Sequence, residues 1–134
     1  MDNEQQQKYA EYQMLNNQLR QLAQETQGLE QQARELENLI EGVEEVGKSA
    51  KGTEILSSIG GGLYVKTKLE NNNEFLINSG ARVIATKTKE EAKALLNEQL
   101  AELRKIVNNM QAELQNGIQR IVMLESDLRK KAKK

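Results

Sequence analysis

The sequence predicts a mainly α protein with a small β part: an antiparallel coiled-coil helical hairpin with two β-hairpins (four short strands) inserted between its helices. Three observations predict it. Apolar residues step by three and four along both ends of the chain. The middle instead alternates in twos between turn residues. The N-terminal end is acidic where the C-terminal end is basic. The 134 residues make one domain at most, read as 1–45 for the first helix, 46–88 for the hairpins and 89–134 for the second helix.

In the first helix Tyr12, Leu15, Leu19, Leu22, Thr26, Leu29, Ala33, Leu36, Ile40 and Val43 hold a heptad a/d pattern without a break. Gly28 is a poor helix former inside it and is tolerated at a modest cost. From Glu4 to Glu45 such a helix is about 60 Å long, too long for a globule of this size.

Residues 46–88 are far too many for a simple helix–helix connection. Thr53–Ile59 is a short β-type run, and Gly60-Gly61-Gly62 breaks it. Leu63, Val65, Thr67 and Leu69 then alternate with Tyr64, Lys66, Lys68 and Glu70, a half-buried strand. Asn71-Asn72-Asn73 reads as a turn through the tolerance of Asn for left-handed backbone. Glu74–Asn78 is a third strand, Ser79-Gly80 a turn, and Ala81–Lys87 a fourth strand. Four such strands are not stable alone and present open edges, so the chain is expected to oligomerise through them.

Thr88-Lys89-Glu90-Glu91 is a capping box, with Thr88 as the cap and Glu91 reaching back, so the second helix runs from Lys89 to about Lys130. Leu96, Leu100, Leu103, Val107, Met110, Leu114, Gly117, Ile121, Leu124 and Leu128 repeat the heptad pattern. Residues 1–45 carry three basic and ten acidic side chains, residues 89–134 ten basic and seven acidic. Laid antiparallel, the helices are therefore complementary at their flanking positions. If Ile40 packs near Leu96, then Ala33 faces Leu103, Thr26 faces Met110 and Leu19 faces Gly117.

Composition excludes several function classes. With no histidine and no cysteine, imidazole acid–base chemistry, thiol nucleophiles, zinc sites and disulfides are out. The net charge of −1 and four aromatic residues give no case for nucleic acid binding. No run of about 18 apolar residues exists, so no membrane span is expected. The first residues carry no basic or apolar leader, and the expected compartment is the cytoplasm. The glycines of 60–62 lead into a strand rather than a helix, so they read as a turn or bulge and not a phosphate cradle. Glu44-Glu45 and Glu90-Glu91 read as helix-end charges, not an acid–base pair. No cofactor and no enzymatic activity are expected.

The order of elements, and above all Glu54–Lys66, Leu76–Ile84 and Thr86–Ala92, resembles the prefoldin family, also called GimC, the cytosolic co-chaperones of archaea and eukaryotes. Two hairpins rather than one resemble the alpha class. One departure is Ser57-Ser58, where that class usually carries a proline. The resemblance implies two alpha-class chains paired through their strands, with four beta-class chains around them. It further implies a double β-barrel platform with six coiled-coil arms, which hold unfolded client proteins and deliver them to a group II chaperonin without consuming nucleotide.

On this reading the client-binding candidates lie where both chain ends meet: Tyr9, Tyr12, Met14 and Leu15 on the first helix, Ile121, Val122, Met123, Leu124 and Leu128 on the second. Val122 and Met123 fall outside the a/d stripe, and pliable Met suits promiscuous contacts. The bland alternative is that Tyr12, Leu15, Ile121 and Leu124 only close the coiled coil. Ile55, Leu56, Leu63, Val65, Leu69, Phe75, Ile77, Val83 and Ile84 are the oligomer-interface candidates. The run Arg129–Lys134 reads first as a solvated helix end and next as a charged contact for the chaperonin. The rival function is a structural scaffold or filament of the same fold that binds no client.

Overall fold

A computed structural model describes residues 2–78 and 80–132. The elements are α1 (Asn3–Lys48), β1 (Glu54–Gly60), β2 (Leu63–Lys68), β3 (Phe75–Asn78), β4 (Ile84–Lys87) and α2 (Lys89–Ala132). They fall into two compact units, Met1–Ala33 with Glu102–Lys134, and Arg34–Ala101.

The first unit is helix against helix. Among its described residues Thr26, Ala33, Val107 and Leu124 are buried, and every one lies on the heptad stripe. The Leu19–Gly117 pairing is borne out: a β-carbon on Gly117 would overlap the Leu19 side chain. Glycine is what lets the backbone of α2 approach there. Thr26 is the buried polar residue of the seam, and its hydroxyl donates to the Leu22 carbonyl at 2.7 Å, which removes the cost of burying it. Helix α1 starts at a cap that the sequence reading missed: the Asp2 carboxylate accepts from the Gln5 N–H at 2.7 Å.

The second unit holds the other ends of both helices and the hairpins. Val43, Ala92 and Leu100 are buried in it. The capping box is borne out in both directions. The Glu91 N–H donates to the Thr88 hydroxyl at 3.2 Å, and the Thr88 N–H donates to the Glu91 carboxylate at 3.2 Å. That pairing holds the Glu91 carboxyl below its ordinary value. Helix α1 runs on through Lys48, past the expected end at Glu45, and the Ser49 hydroxyl donates back to the Glu45 carbonyl at 2.9 Å. Glu44 receives ion pairs from Lys93 and, at 3.5 Å, from Lys89.

The strands form two separate two-stranded antiparallel sheets, β1–β2 and β3–β4. In the first, Ile55 faces Thr67 and Ser57 faces Val65 on one side, while Leu56 faces Lys66 and Ser58 faces Tyr64 on the other. A bulge between Ser58 and Gly60 precedes a turn in which Gly61 and Gly62 have φ of +59° and +79°. A tight hairpin needs positive φ at both of these positions, and glycine adopts it without a Cβ clash. In the second sheet Phe75, Ile77, Ala85 and Lys87 share a half-buried side, and Leu76, Asn78, Ile84 and Thr86 an exposed one.

Two turn readings need correction. The fourth strand begins at Ile84, not Ala81. Ala81 and Arg82 instead take φ of +49° and +63°, and the Val83 N–H closes a turn onto the Gly80 carbonyl at 2.9 Å. Both residues thus take left-handed backbone, which side chains with a Cβ disfavour. The expected turn at Ser79-Gly80 has Ser79 outside the described residues. The Asn71–Asn73 turn forms, but not through left-handed backbone. Its side chains do the work: Asn71 accepts from the Asn73 N–H at 2.8 Å, Asn72 donates to the Ser49 carbonyl at 3.0 Å, and Asn73 accepts from the Lys89 N–H at 3.2 Å. The same asparagines thus bind the end of α1 and the start of α2.

Candidate functional site

The chain-terminal end of the first unit gathers the client-binding candidates. A heptad places a and d side chains against the partner helix and leaves b and c positions outside. Leu15, Ile121 and Leu128 accordingly lie half-buried on the seam, and Leu124 has no accessible surface. Leu124 therefore offers a client nothing in this closed arrangement. Tyr12 is half-buried too, and its hydroxyl donates to Glu125 at 3.0 Å. That hydrogen bond to a carboxylate holds the Tyr12 hydroxyl above its ordinary value. Tyr9, Met14, Val122 and Met123 lie outside the seam and are exposed, Met14 at 59% and Met123 at 58%.

Charged groups flank this seam on both sides. Arg120 makes a two-pronged contact with Glu11, at 3.0 and 3.2 Å, the fork geometry that suits guanidinium and carboxylate. Lys8 reaches Asp127 at 3.4 Å and Glu4 at 3.8 Å. Farther along, Gln111 donates to Glu30 at 2.6 Å. The sequence showed the acidic-against-basic bias, but not which pairs would meet. It also missed Ile118, which is exposed beside Ala23, Ala112 and Leu114 in an open groove. Its signal was its place next to Gly117, on the flank of the stripe.

Of the oligomer-interface candidates, Ile55, Leu69, Phe75 and Ile77 are half-buried, while Leu56, Leu63, Val65, Val83 and Ile84 are exposed. Leu76, Ile59 and Tyr64 join the exposed set without having been singled out, Leu76 at 70% exposure. Leu76 lies between Phe75 and Ile77, so the three apolar residues in a row gave no alternation to read. In the second sheet Leu76 and Ile84 share the exposed side, which leaves an apolar surface uncovered by this chain.

Among the described residues, no group of three or more Asp or Glu is placed to hold a metal. Among the same residues no helix is long and apolar enough to cross a membrane. The basic run spans Arg129–Lys134. Arg129 and Lys130 are exposed, while Lys133 and Lys134 lie outside the described residues.

A family model described as prefoldin subunit matches residues 3–134. The chain is 31% identical over 78 residues to the prefoldin subunit alpha of Thermofilum pendens, across 58% of this chain and 60% of that one. It is 35% identical over 86 residues to the prefoldin subunit alpha of Methanosarcina acetivorans, across 64% of this chain and 58% of that one. The match thus spans about 60% of the length of these two curated relatives. A filamentous PFD of Methanocaldococcus jannaschii, solved by cryo-electron microscopy, shares the fold with a TM-score of 0.72 at 16% identity, over 86% of this chain and 95% of that one. Two long helices, two intervening hairpins and these matches agree: the chain belongs to the prefoldin family, as an alpha-class subunit.

Proposed function

We propose that the chain is an ATP-independent holdase subunit that grips non-native proteins with the end of its coiled coil and passes them to a group II chaperonin. The observation that carries this reading is the exposure of Tyr9, Met14, Val122 and Met123 around a seam that is already closed. Apolar side chains with no seam left to fill are available to the exposed apolar segments of an unfolded chain. Two of them are methionines, which adapt to varied partners. Each contact is weak, and several arms acting together supply avidity. The hairpins build the platform, with Leu56, Leu63, Leu76, Val83 and Ile84 against strands of a second alpha-class chain and of beta-class subunits. The activity involves no catalysis, and its place is the cytoplasm.

The test uses the complex assembled with a beta-class subunit. Deletion of residues 1–14 and 119–134 is expected to abolish suppression of client aggregation while the native mass stays that of a hexamer less the trimmed segments. Trimmed complexes that still suppress aggregation sink the reading.

One observation favours a second reading, a scaffold or filament without clients. One solved relative of the same fold is itself filamentous, and unclosed strand pairing propagates into fibres. Native mass separates the two: a closed hexamer supports the holdase, an open-ended ladder of masses the filament.

A further inference from the structure

We propose that Met14 and Met123 form a paired oxidation site: a peroxide turns both thioethers into sulfoxides, and the tip then holds less client until the sulfur is reduced again. The inference rests on the holdase reading and adds a chemical control over it.

The sulfur of this chain is all methionine, since it has no cysteine and so no thiol to react first. Met14 and Met123 are exposed, Met110 is half-buried on the seam, and Met1 lies outside the described residues. Burial shields a thioether from a dissolved oxidant, so the two exposed sulfurs react before Met110. Position pairs them. Both take heptad position c, one on each helix. That position lies on the g side of the seam, where Glu11 meets Arg120 and where Gln18, Gln21, Glu25 and Glu113 line an open groove. The antiparallel register set by Leu19 and Gly117 also brings them level, Met14 lying five residues before Leu19 and Met123 six after Gly117. Tyr9 at e and Val122 at b lie on the opposite side. One side of the tip is therefore a methionine surface, and the other is not.

The oxidant is a peroxide. A lone pair of the thioether sulfur attacks one peroxide oxygen, an S–O bond forms, and the O–O bond breaks. With hydrogen peroxide the other oxygen leaves as water and takes both protons. The sulfur loses two electrons and the peroxide gains them. The product is a polar, chiral side chain with a strong acceptor oxygen. Pressing that oxygen against an apolar client segment strips it of water and gives it no donor in return. Both side chains point away from the seam, so the coiled coil keeps its packing while its methionine surface turns polar. Tyr9 and Val122 are untouched, and the loss of holding is therefore partial.

The experiment treats the complex assembled with a beta-class subunit with hydrogen peroxide, removes the oxidant with catalase, and then adds citrate synthase diluted from guanidinium as the client. Peptide mass mapping is expected to show a gain of about 16 Da at Met14 and at Met123 before any at Met110. Client held at limiting complex should then fall by about three- to tenfold. Helical content and native mass should not move. Methionine sulfoxide reductases, one for each epimer, should restore holding. Met14→Leu with Met123→Leu keeps the surface apolar and removes both sulfurs. Read against itself before and after peroxide, this variant should lose little, which separates these two residues from methionines elsewhere in the complex. Met14→Gln with Met123→Gln imitates the polar product and should lower holding with no oxidant present. A complex oxidised at both positions that holds as much as before overturns the switch. So does a Leu variant that loses as much as the parent, or a Met110 that reacts first. An untreated complex that holds no client overturns the holdase reading and the switch with it. If the untreated complex holds client and the oxidised one holds the same, only the switch falls.

Discussion

Leu124 and Leu76 are the same side chain in two settings. Leu124 sits on a helical seam and has no accessible surface, whereas Leu76 stands on one side of a two-stranded sheet and is 70% exposed. The seam buries its leucines within the chain because a second helix of the same chain lies against it. The sheet has no such cover, and a two-stranded sheet on its own is marginal in water. The difference teaches where this chain is self-sufficient and where it depends on others. Its helices carry their own core, and its hairpins leave an apolar surface that this chain does not cover, as the proposed assembly through the strands requires.

That contrast can be broken in order of effect. Leu124→Ala should cost about 2–5 kcal/mol of coiled-coil stability, read as a lowered helical melting transition of the assembled protein. Leu76→Ser with Ile84→Ser should leave the helical melt of the isolated chain within about 0.5 kcal/mol and instead shift native mass toward smaller species. A helical melt that falls as far as that of Leu124→Ala would mean that the hairpins are covered by the chain itself. Thr88→Ala removes one half of the capping box and should cost about 1 kcal/mol in the same melt.

Smaller effects sharpen the comparison. Gly28→Ala places a methyl group where nothing lies within 4 Å, and should stabilise α1 by about 0.5–1 kcal/mol. The acid side follows from Glu44 and Glu91, both held below the ordinary value of 4.5, Glu44 chiefly by its hydrogen bond from Lys93 and Glu91 by the Thr88 N–H. Their folded values lie below the unfolded ones, so the stability they contribute is fully present above 4.5 and is lost as pH falls through the folded values. With no histidine in the chain, the melt should stay level across neutral pH and drop only in acid. A step near neutral pH would contradict this.

Much of the molecule was legible in the sequence, for a physical reason. A heptad is redundant: one ambiguous position such as Thr26 or Gly117 does not erase the phase set by its neighbours, so both helices and the Leu19–Gly117 register could be read directly. The capping box was equally plain, because it involves residues only three apart. The Ala81-Arg82 turn was hidden, because neither residue type advertises positive φ. Leu76 was hidden because it sits in an unbroken apolar run. At the tip the stripe separated outside from inside, but the partners of Lys8, Tyr12 and Glu11 are set by side-chain reach across the helices rather than by any short motif.

The seam also implies an order of events. Glu44 and its partner Lys93 are 49 residues apart in the chain, whereas Lys8 and Asp127 are 119 apart. Joining the tip first would enclose nearly the whole polypeptide in one loop, while each hairpin closes over a few residues on the microsecond scale. Once the pairs nearest the hairpins are made, every later layer adds only a short closure. The coiled coil is thus expected to zip from the hairpins outward, and a nascent chain can begin only after the second helix has emerged. The residues proposed to meet clients are then expected to be the last to find their places.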